Sequence, residues 1–202
     1  MSNIENKTII ALERIRKAFD NNGRVISGHS GGKDSVVIND LITKAGCDSR
    51  RYAIVHNVKP LLGTSGDPVA ALTEMHPATL EFLYTNVCLE QTLTFLHASK
   101  MKNWVTNNHI TCQIDGSRLC EYTRSGKSSE FIVNGKSVSR SEMTEYIENG
   151  IFGLNMSYPI FDWSDTDVFD YIALNDLKIS NEYYLNGEYD AWLFNRNSSS
   201  AC

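Results

Sequence analysis

The segment from Ser30 to Ser35 reads Ser-Gly-Gly-Lys-Asp-Ser, and its residue types and their order suit the binding of a phosphate. A short run rich in β-branched residues precedes it, and an apolar segment compatible with a helix follows directly. A strand, a glycine turn and a helix N-terminus in this order bring backbone N–H groups and the positive end of a helix dipole to one point. Side chains at Gly31 or Gly32 would block the tight turn and keep a phosphate away from the backbone. The alternative interpretation is a glycine-rich turn without a ligand.

The remaining side chains of this segment supply the charge and the hydrogen bonds that an anion site needs. Lys33 contributes a mobile positive charge, and Asp34 contributes a carboxylate able to hold Mg²⁺. Ser30 and Ser35 contribute hydroxyl donors. We therefore predict an anion site with Lys33 and Asp34 as its reactive charged groups.

Two better-known phosphate-binding patterns are excluded by their spacing. In a Walker A loop the first glycine would fall on Ser27, and a Ser or Thr would follow the lysine where this chain has Asp34. The pattern Gly-x-Gly-x-x-Gly has no match between Gly28 and Gly32. The loop therefore belongs to neither class.

A second group of charged residues lies in the segment Asp115–Arg124. Gly116 permits a sharp turn that places Arg118 beside the phosphate loop. Two guanidiniums, those of Arg118 and Arg124, suit a phosphate or a sulfate because each can make a bidentate contact. The alternative is a surface pair of Glu121 with Arg124, of little energetic weight. The residue types alone favour neither interpretation.

A third segment, residues 158–172, begins a helix. Ser164 and Asp167 form a Ser-x-x-Asp capping pair, and further acids crowd the first turn, where the helix dipole favours them. Val168, Tyr171 and Ile172 form the buried stripe. Taken by its residues alone, this segment is interpreted as structural.

Composition indicates one soluble domain. The chain has 202 residues, of which 42% are hydrophobic and 21% charged, and its formal net charge is −5. That length suffices for one well-buried domain and is short for two. No basic cluster suggests nucleic-acid binding, and no run approaches the ~20 apolar residues of a membrane span. We therefore expect a cytoplasmic protein that binds neither membrane nor nucleic acid.

The cysteines argue against a disulfide scaffold, a zinc ribbon and a Cys₄ iron–sulfur cluster. Their number is odd and they form no Cys-x-x-Cys pair. The three central ones are expected to be small buried hydrophobes, whereas the last belongs to a mobile tail. The five are Cys47, Cys88, Cys112, Cys120 and Cys202.

The pattern of elements predicts a doubly wound, mostly parallel α/β sheet with helices on both faces and a small β-hairpin insertion. We predict helices over residues 4–20, 35–45 and 165–175, strands over 24–27, 52–56 and 110–114, and a hairpin over 131–138 around Asn134-Gly135. Residues 69–108 are mostly helical in pattern, with an interruption at Pro77 and an undecided strand at residues 83–88. Residues 59–68 would form a loop over the site.

This arrangement would bring three distant segments to one edge. Ligands of such sheets bind at the carboxyl ends of the strands. The glycine turn, the residues His56 and Asn57 after the second strand, and the segment from Asp115 all follow strands. We expect a single domain over residues 1–194, with the hairpin insertion at about 128–140 and a flexible tail over 195–202.

The phosphate segment resembles the PP-loop of the ATP pyrophosphatase superfamily, also called adenine nucleotide alpha hydrolase-like. Together with Gly-x-Arg-x-x-Glu at residues 116–121, the run Pro-Ile-Phe-Asp-Trp-Ser-Asp-x-Asp-Val-Phe-Asp-Tyr-Ile from residue 159 resembles the phosphoadenosine phosphosulfate (PAPS) reductase family of that superfamily. The resemblance covers roughly residues 20–180. It implies an adenine nucleotide at the carboxyl edge, with Arg118 and Arg124 facing its phosphate or sulfate end and Asp162-Trp163 supporting the site from beneath. Family members are often homodimers.

The chain also departs from PAPS reductases. Those enzymes carry Glu-Cys-Gly-x-His near the C-terminus, whereas this chain ends Ser-Ser-Ala-Cys. The cysteine pairs of iron–sulfur relatives are absent, so no iron–sulfur cluster is expected. The complete Gly-Gly-Lys-Asp form is typical of the pyrophosphatase-type members.

Three functions remain open at this point. The first is an ATP-dependent enzyme that cleaves ATP between the α- and β-phosphates, with Mg²⁺ held by Asp34 and pyrophosphate as leaving group. The second is a thiol-dependent reductase of PAPS with Cys202 as nucleophile, although an inert tail residue is the favoured interpretation of that cysteine. The third is a nucleotide-binding module without catalysis. His29 and His56 are acid–base candidates, but histidines in such positions more often pack or form hydrogen bonds.

The predicted site residues are these. Lys33, Asp34 and Arg118 are the catalytic candidates. The nucleotide-binding candidates are Ser27, Gly28, His29, Ser30, Gly31, Gly32, Lys33, Asp34, Ser35, His56, Asn57, Gly116, Arg118 and Arg124. The acceptor substrate, small molecule or macromolecule, is not encoded in any motif that we recognise.

Overall fold

The computed structural model describes residues 3–56, 77–86, 92–94, 98–120, 131–133, 136–138 and 144–184. The predicted loop over residues 59–68 and the predicted tail over 195–202 lie outside these ranges. Within them, no helix has both the length and the apolar character needed to cross a bilayer.

A six-stranded sheet forms the centre of the fold. Its strands are β1 (Val25–Gly28), β2 (Arg51–His56), β3 (Thr92–Thr94), β4 (Cys112–Ile114), β7 (Tyr146–Ile147) and β8 (Asn155–Ser157). They lie side by side in the order β3-β2-β1-β4-β8-β7. Its first five strands in that order run parallel, and β7 pairs antiparallel with β8. The predicted parallel pairing of the first two strands is confirmed.

Five helices accompany these strands in the described part of the chain. They are α1 (Asn3–Asn21), α2 (Lys33–Lys44), α3 (Pro77–Asn86), α4 (Ala98–Asn107) and α5 (Asp165–Leu174). Three further segments form short 3₁₀ turns, at Asp48–Arg50, Ile151–Gly153 and Asn181–Tyr184. The alternation of strand and helix is therefore as the sequence predicts.

Apolar spacing explains why α1 is a helix and which face it buries. Ala11, Ile15, Ala18 and Phe19 recur at intervals of three and four and are all buried. They join the core formed with α2 and α5. The predicted helix over residues 4–20 is confirmed with one more residue at each end.

Helix α2 begins two residues earlier than predicted. Gly32, in extended conformation, is its N-cap, and Lys33 and Asp34 form its first turn. The helix ends at Lys44, one residue before the predicted end, and Gly46 terminates it as predicted, because its positive φ of 74° is one that ordinary residues avoid. The shift matters because it places Lys33 and Asp34 on the helix itself.

The stretch from residue 69 to 108 differs in part from the prediction. Pro77 is the first residue of α3, where its missing N–H costs nothing. Residues 83–86 belong to α3, so the undecided strand is not formed there. The third parallel strand is Thr92–Thr94 instead.

Two hydrophobic clusters cover opposite faces of the sheet. Neighbouring residues of β1 divide between them, because Val25 packs with α1, α2 and α5 while Ile26 packs with Met101 and Val105 of α4. The doubly wound arrangement is therefore confirmed. The predicted hairpin is present as an antiparallel pair, β5 (Phe131–Val133) with β6 (Lys136–Val138).

Candidate functional site

The site lies where the strand order reverses. β1 is flanked by β2 on one side and by β4 on the other, so the chain leaves β1 outward and later returns to its opposite edge. In open α/β sheets such a switch point forms a crevice at the carboxyl ends of the strands, and ligands bind there. The residues after β1 and those after β4 both open into this crevice, since Ser27 is in register with Ile114.

The two glycines of the loop after β1 are needed for different reasons. Gly31 has a φ of 82°, in the left-handed region that favours glycine. Gly32 has an ordinary φ, but a Cβ there would lie 3.2 Å from the Tyr183 hydroxyl and 3.3 Å from Ser30 Oγ. The first glycine therefore makes the turn, and the second permits a close approach.

Side chains of the loop itself accept hydrogen bonds from the loop amides. The N–H of Gly31 donates to His29 Nδ1 at 3.1 Å, and that of Gly32 lies 3.3 Å from Ser30 Oγ. Ser35 donates its hydroxyl to the Gly32 carbonyl at 2.7 Å and also lies 3.2 Å from His29 Nδ1. His29 Nδ1 must be unprotonated to accept the Gly31 N–H. The histidine thus has a hydrogen-bonding role in shaping the loop.

Four charged side chains meet beside the loop, and we call them the charge cluster: Lys33, Asp34, Arg118 and Asp165. Arg118 Nε lies 2.7 Å from Asp34 Oδ1, and its other end, Nη2, lies 2.7 Å from Asp165 Oδ1. Lys33 Nζ lies 2.9 Å from Asp34 Oδ2 and 3.2 Å from Asp165 Oδ1. Two cations and two anions alternate, so the cluster is neutral as a whole.

Burial makes this neutrality important. The side chain of Arg118 is 0% exposed, and that of Asp165 is 8% exposed. Away from water an uncompensated charge is costly, so each member depends on its partners. The Trp163 carbonyl, 3.4 Å from Arg118 Nη1, adds a neutral acceptor.

Gly116 allows the segment after β4 to reach the loop. A Cβ on Gly116 would lie 3.0 Å from both the carbonyl carbon and the carbonyl oxygen of Asp34. Backbone atoms cannot move aside as a flexible side chain can. The glycine predicted to make a sharp turn therefore also lets Arg118 approach Asp34.

Asp165 is the member of the charge cluster that the sequence did not identify. It is the first residue of α5, preceded by the predicted cap, in which Ser164 Oγ accepts from the Asp167 N–H and the Asp167 carboxylate accepts from the Ser164 N–H. The available signal was its position, since α5 follows β8 and begins near the same sheet edge.

Asp162 and Trp163, which the resemblance expects to support the site from beneath, lie in different surroundings. The Trp163 carbonyl contacts Arg118 of the charge cluster, whereas Asp162 pairs with Arg14 of α1 at 2.7 Å.

Lys7 joins the cap of α5. Its ammonium lies 2.6 Å from Asp167 Oδ2. Burial alone would raise the pKa of Asp167, but Lys7 and the hydrogen bonds of Ser164 together lower it. The start of α5, and with it Asp165, is therefore held by a second ion pair outside the charge cluster.

The other predicted site residues differ in where they lie. Ser27 is buried, and its hydroxyl donates to Asn39 Oδ1 at 3.3 Å, toward the middle of α2. Gly28 ends β1 and His56 ends β2, both at the carboxyl edge. Asn57, Arg124 and Cys202 lie outside the described residues.

Of the three central cysteines, Cys112 has the predicted buried, apolar character, and Cys88 lies outside the described residues. Cys47, for which no such prediction was made, is also buried. Burial raises the pKa of Cys112 to about 12 and also raises that of Cys47. Cys120 differs, because it is only partly buried and its sulfur lies 3.3 Å from Arg118 Nη1.

Asp34 suits a Mg²⁺ ion by its chemistry. Its carboxylate is the donor type that Mg²⁺ selects, and such ions are commonly held by one or two carboxylates together with substrate phosphates. Both oxygens are already paired, Oδ1 with Arg118 and Oδ2 with Lys33. Among the described residues no group of three or more His, Cys, Asp or Glu side chains could hold a metal without a ligand's help.

A cavity of about 380 Å³ lies between α3 and the segment that follows α5. One wall comes from α3 and includes Glu81, Phe82 and Asn86, and the other includes Lys178 and Asn181. Asn181 is two residues from Tyr183, whose hydroxyl contacts the loop. The chain segment that lines this cavity therefore ends two residues before the tyrosine that contacts the loop.

This chain is similar to known proteins in its structure and not detectably in its sequence. No protein-family model matches the sequence, and no curated protein matches it. Among solved structures, the FMN adenylyltransferase of Candida glabrata has a TM-score of 0.61 and 10% identity, over 89% of this chain and 58% of that one. The PAPS reductase of Candida auris, a phosphate complex, has a TM-score of 0.52 and 13% identity, over 90% of each chain. Yeast FAD synthetase, in complex with FAD, has a TM-score of 0.54 and 14% identity, over 91% of this chain and 64% of that one.

These structures and this chain share the α/β adenine nucleotide alpha hydrolase-like fold, so the predicted fold is confirmed. The chain spans less than two thirds of the FMN adenylyltransferase and FAD synthetase chains. At identities of 10 to 14% the likeness establishes a fold and leaves the reaction undetermined.

Proposed function

We propose that this chain is an enzyme that binds ATP at the loop after β1 and transfers its adenylyl group to an acceptor, releasing pyrophosphate. The observation that carries this proposal is the arrangement of the loop, with two glycines at the N-terminus of α2 and the charge cluster beside it. Backbone donors and a helix dipole favour a polyphosphate there. The complete Ser-Gly-Gly-Lys-Asp-Ser segment supports ATP over a sulfonucleotide.

In this proposal the acceptor carries an oxygen nucleophile, either a carboxylate or a phosphate. That oxygen attacks the α-phosphorus of ATP, the bond from the α-phosphorus to the bridging oxygen breaks, and pyrophosphate leaves with the electron pair. Lys33 would neutralise charge that grows on the leaving pyrophosphate, the electrostatic contribution expected for such transfers. A Mg²⁺ ion bound by Asp34 would supply further charge neutralisation.

The charge cluster would set the position of Lys33. Its ammonium lies between two carboxylates, and Arg118 holds both of them from the other side. An arriving polyphosphate competes with those carboxylates for the ammonium. Arg118 is then a positioning residue, and its direct contact with phosphate stays a prediction.

The cavity beside α3 is the proposed place for the acceptor. Its volume falls within the range of small-molecule sites. Its lining combines an apolar ring, Phe82, with charged and amide groups such as Glu81, Lys178 and Asn181. We therefore expect a small molecule with an apolar body and polar substituents.

The test is pyrophosphate release from ATP and Mg²⁺ with a panel of acceptors, containing FMN and mixed carboxylic acids. We expect Lys33→Ala to abolish release. Lys44→Ala is a matched control, because Lys44 lies on the same helix and pairs with Asp40 at 2.7 Å, away from the loop. Full activity of the Lys33 variant would dispose of the proposed role.

A second candidate is supported by the PAPS reductase of Candida auris, which this chain matches over 90% of both chains. A thiol-dependent reductase would release sulfite from PAPS. Sulfite release that Cys202→Ser abolishes would support this second function and overturn the first. Tight ATP binding with no turnover in either assay would instead support a module without catalysis.

A further inference from the structure

A distant tyrosine occupies one of the amides that a phosphate loop offers to its ligand. The backbone N–H of Lys33 donates to the hydroxyl oxygen of Tyr183 at 3.1 Å, across 150 positions of sequence. This N–H belongs to the first turn of α2, where no helix carbonyl can accept it. Donors of this kind bind anions at helix N-termini.

The fold holds the hydroxyl in this place. Tyr183 is 2% exposed, and its ring packs edge-on against that of Phe169, with the ring centroids 6.2 Å apart. The backbone N–H of Tyr183 donates to the carbonyl of Ser180, which is itself buried. Gly32 leaves room for it, because a Cβ there would lie 3.2 Å from the hydroxyl oxygen. The contact therefore depends on the same glycine that admits a phosphate.

We propose that Tyr183 is a further residue of the nucleotide site, whose hydroxyl holds the place of one phosphate oxygen until the nucleotide displaces it. The proposal rests on the proposed function of the loop. A phosphate oxygen is charged and accepts a hydrogen bond more strongly than a neutral phenol oxygen. The bound polyphosphate therefore takes the Lys33 N–H, and the tyrosine leaves.

Displacement of Tyr183 connects the loop to the cavity. Tyr183 belongs to the turn Asn181–Tyr184, and the cavity wall includes Leu177, Ile179 and Asn181 just before it. Movement of the tyrosine changes that wall. Nucleotide binding at the loop thereby reshapes the cavity in which we place the acceptor.

The test is isothermal titration with inorganic pyrophosphate at fixed ionic strength. In Tyr183→Phe the ring stays and the competing acceptor is lost, so we expect pyrophosphate to bind roughly five- to tenfold tighter than to the wild type. Tyr171→Phe is the matched control, since it also removes a buried hydroxyl that contacts α2, at Asp40. Its affinity for pyrophosphate should stay within about twofold of the wild-type value.

Weaker binding by Tyr183→Phe would mean that the hydroxyl serves as a ligand, and unchanged binding would mean that it has no part in the site. Either result overturns the proposal while leaving the proposed function in place. No binding of pyrophosphate or ATP to the wild type would overturn both.

A crystal structure of the wild type with pyrophosphate provides a second measurement that needs no variant. We expect the Tyr183 oxygen to lie beyond about 3.5 Å from the Lys33 nitrogen, with a phosphate oxygen in its place. Retention of the tyrosine contact in that complex would contradict the proposal.

Discussion

Replacement of Asp165 by Asn removes one charge from the buried charge cluster and leaves its shape nearly intact. Asp165 Oδ1 lies 2.7 Å from Arg118 Nη2 and 3.2 Å from Lys33 Nζ. Without it, Asp34 is the remaining carboxylate of the charge cluster, facing both Arg118 and Lys33. The variant therefore leaves the charge cluster, whose guanidinium is fully buried, with one more cation than anion.

The expected loss of stability follows from burial. Breaking a buried ion pair by removing one partner costs about 3–5 kcal/mol. An asparagine at this position still accepts a hydrogen bond from Arg118, so we expect a loss of stability at the lower end of that range, about 3 kcal/mol. For a domain of this size that corresponds to a fall in Tm of roughly 6–12 °C.

Asp162→Asn provides the matched control. Asp162 lies three residues earlier and pairs with Arg14 at the same distance of 2.7 Å, but its side chain is 45% exposed. Exposed pairs contribute about 1 kcal/mol or less. Thermal unfolding of both variants measures the contrast, and equal shifts in Tm would refute the reasoning.

A second readout separates charge from general damage. Because Asp165→Asn leaves the cluster positive, pyrophosphate should bind at least as tightly as it does to the wild type, although the protein is less stable. A fall in affinity that accompanies the fall in stability would contradict a neutral cluster beside an anion site.

Two further predictions concern the supports of the site. Gly116→Ala should lower the free energy of unfolding by about 1–3 kcal/mol, because its Cβ would meet the Asp34 backbone at 3.0 Å. Gly23→Ala is the control and should not clash, because the nearest atom to its Cβ would be 3.9 Å away. Denaturant unfolding compares the two variants, and equal losses of stability would refute the close approach at Gly116. Asp167→Asn should be less stable than the wild type at pH 7. The pKa of Asp167 is lowered in the folded state, so its carboxylate stabilises the folded protein at any pH above the unfolded-state pKa of about 3.9. That difference should vanish as the pH falls through the folded-state pKa, and a constant difference from pH 7 to 2 would refute the ion pair with Lys7.

The parts of the fold that could be predicted from the sequence are those with local causes. The spacing of apolar residues identified α1, and the capping pair Ser164 and Asp167 marked the start of α5. Glycines located the loop after β1 because a positive φ and a close backbone approach leave a local signal. The sequence predicts the start of α2 two residues too late, because nothing in Lys33 or Asp34 marks a helix boundary.

The missed residues depend on contacts between distant positions. Asp165 meets Arg118 across 47 residues, and Tyr183 meets Lys33 across 150. Neither pair leaves a spacing that a single sequence reveals. Asp165 was interpreted only as part of a helix start, since an acid in the first turn has a sufficient local reason to be there.

In the proposed function, the backbone amides around Gly31 and Gly32 receive the phosphates of an adenine nucleotide. Titration of the ¹⁵N-labelled protein with ATP, followed through its amide resonances, measures this contact residue by residue. We expect the resonances of Gly31, Gly32 and Lys33 to shift most and to saturate together. Larger shifts elsewhere, or none at millimolar ATP, would contradict binding of the phosphates at this loop.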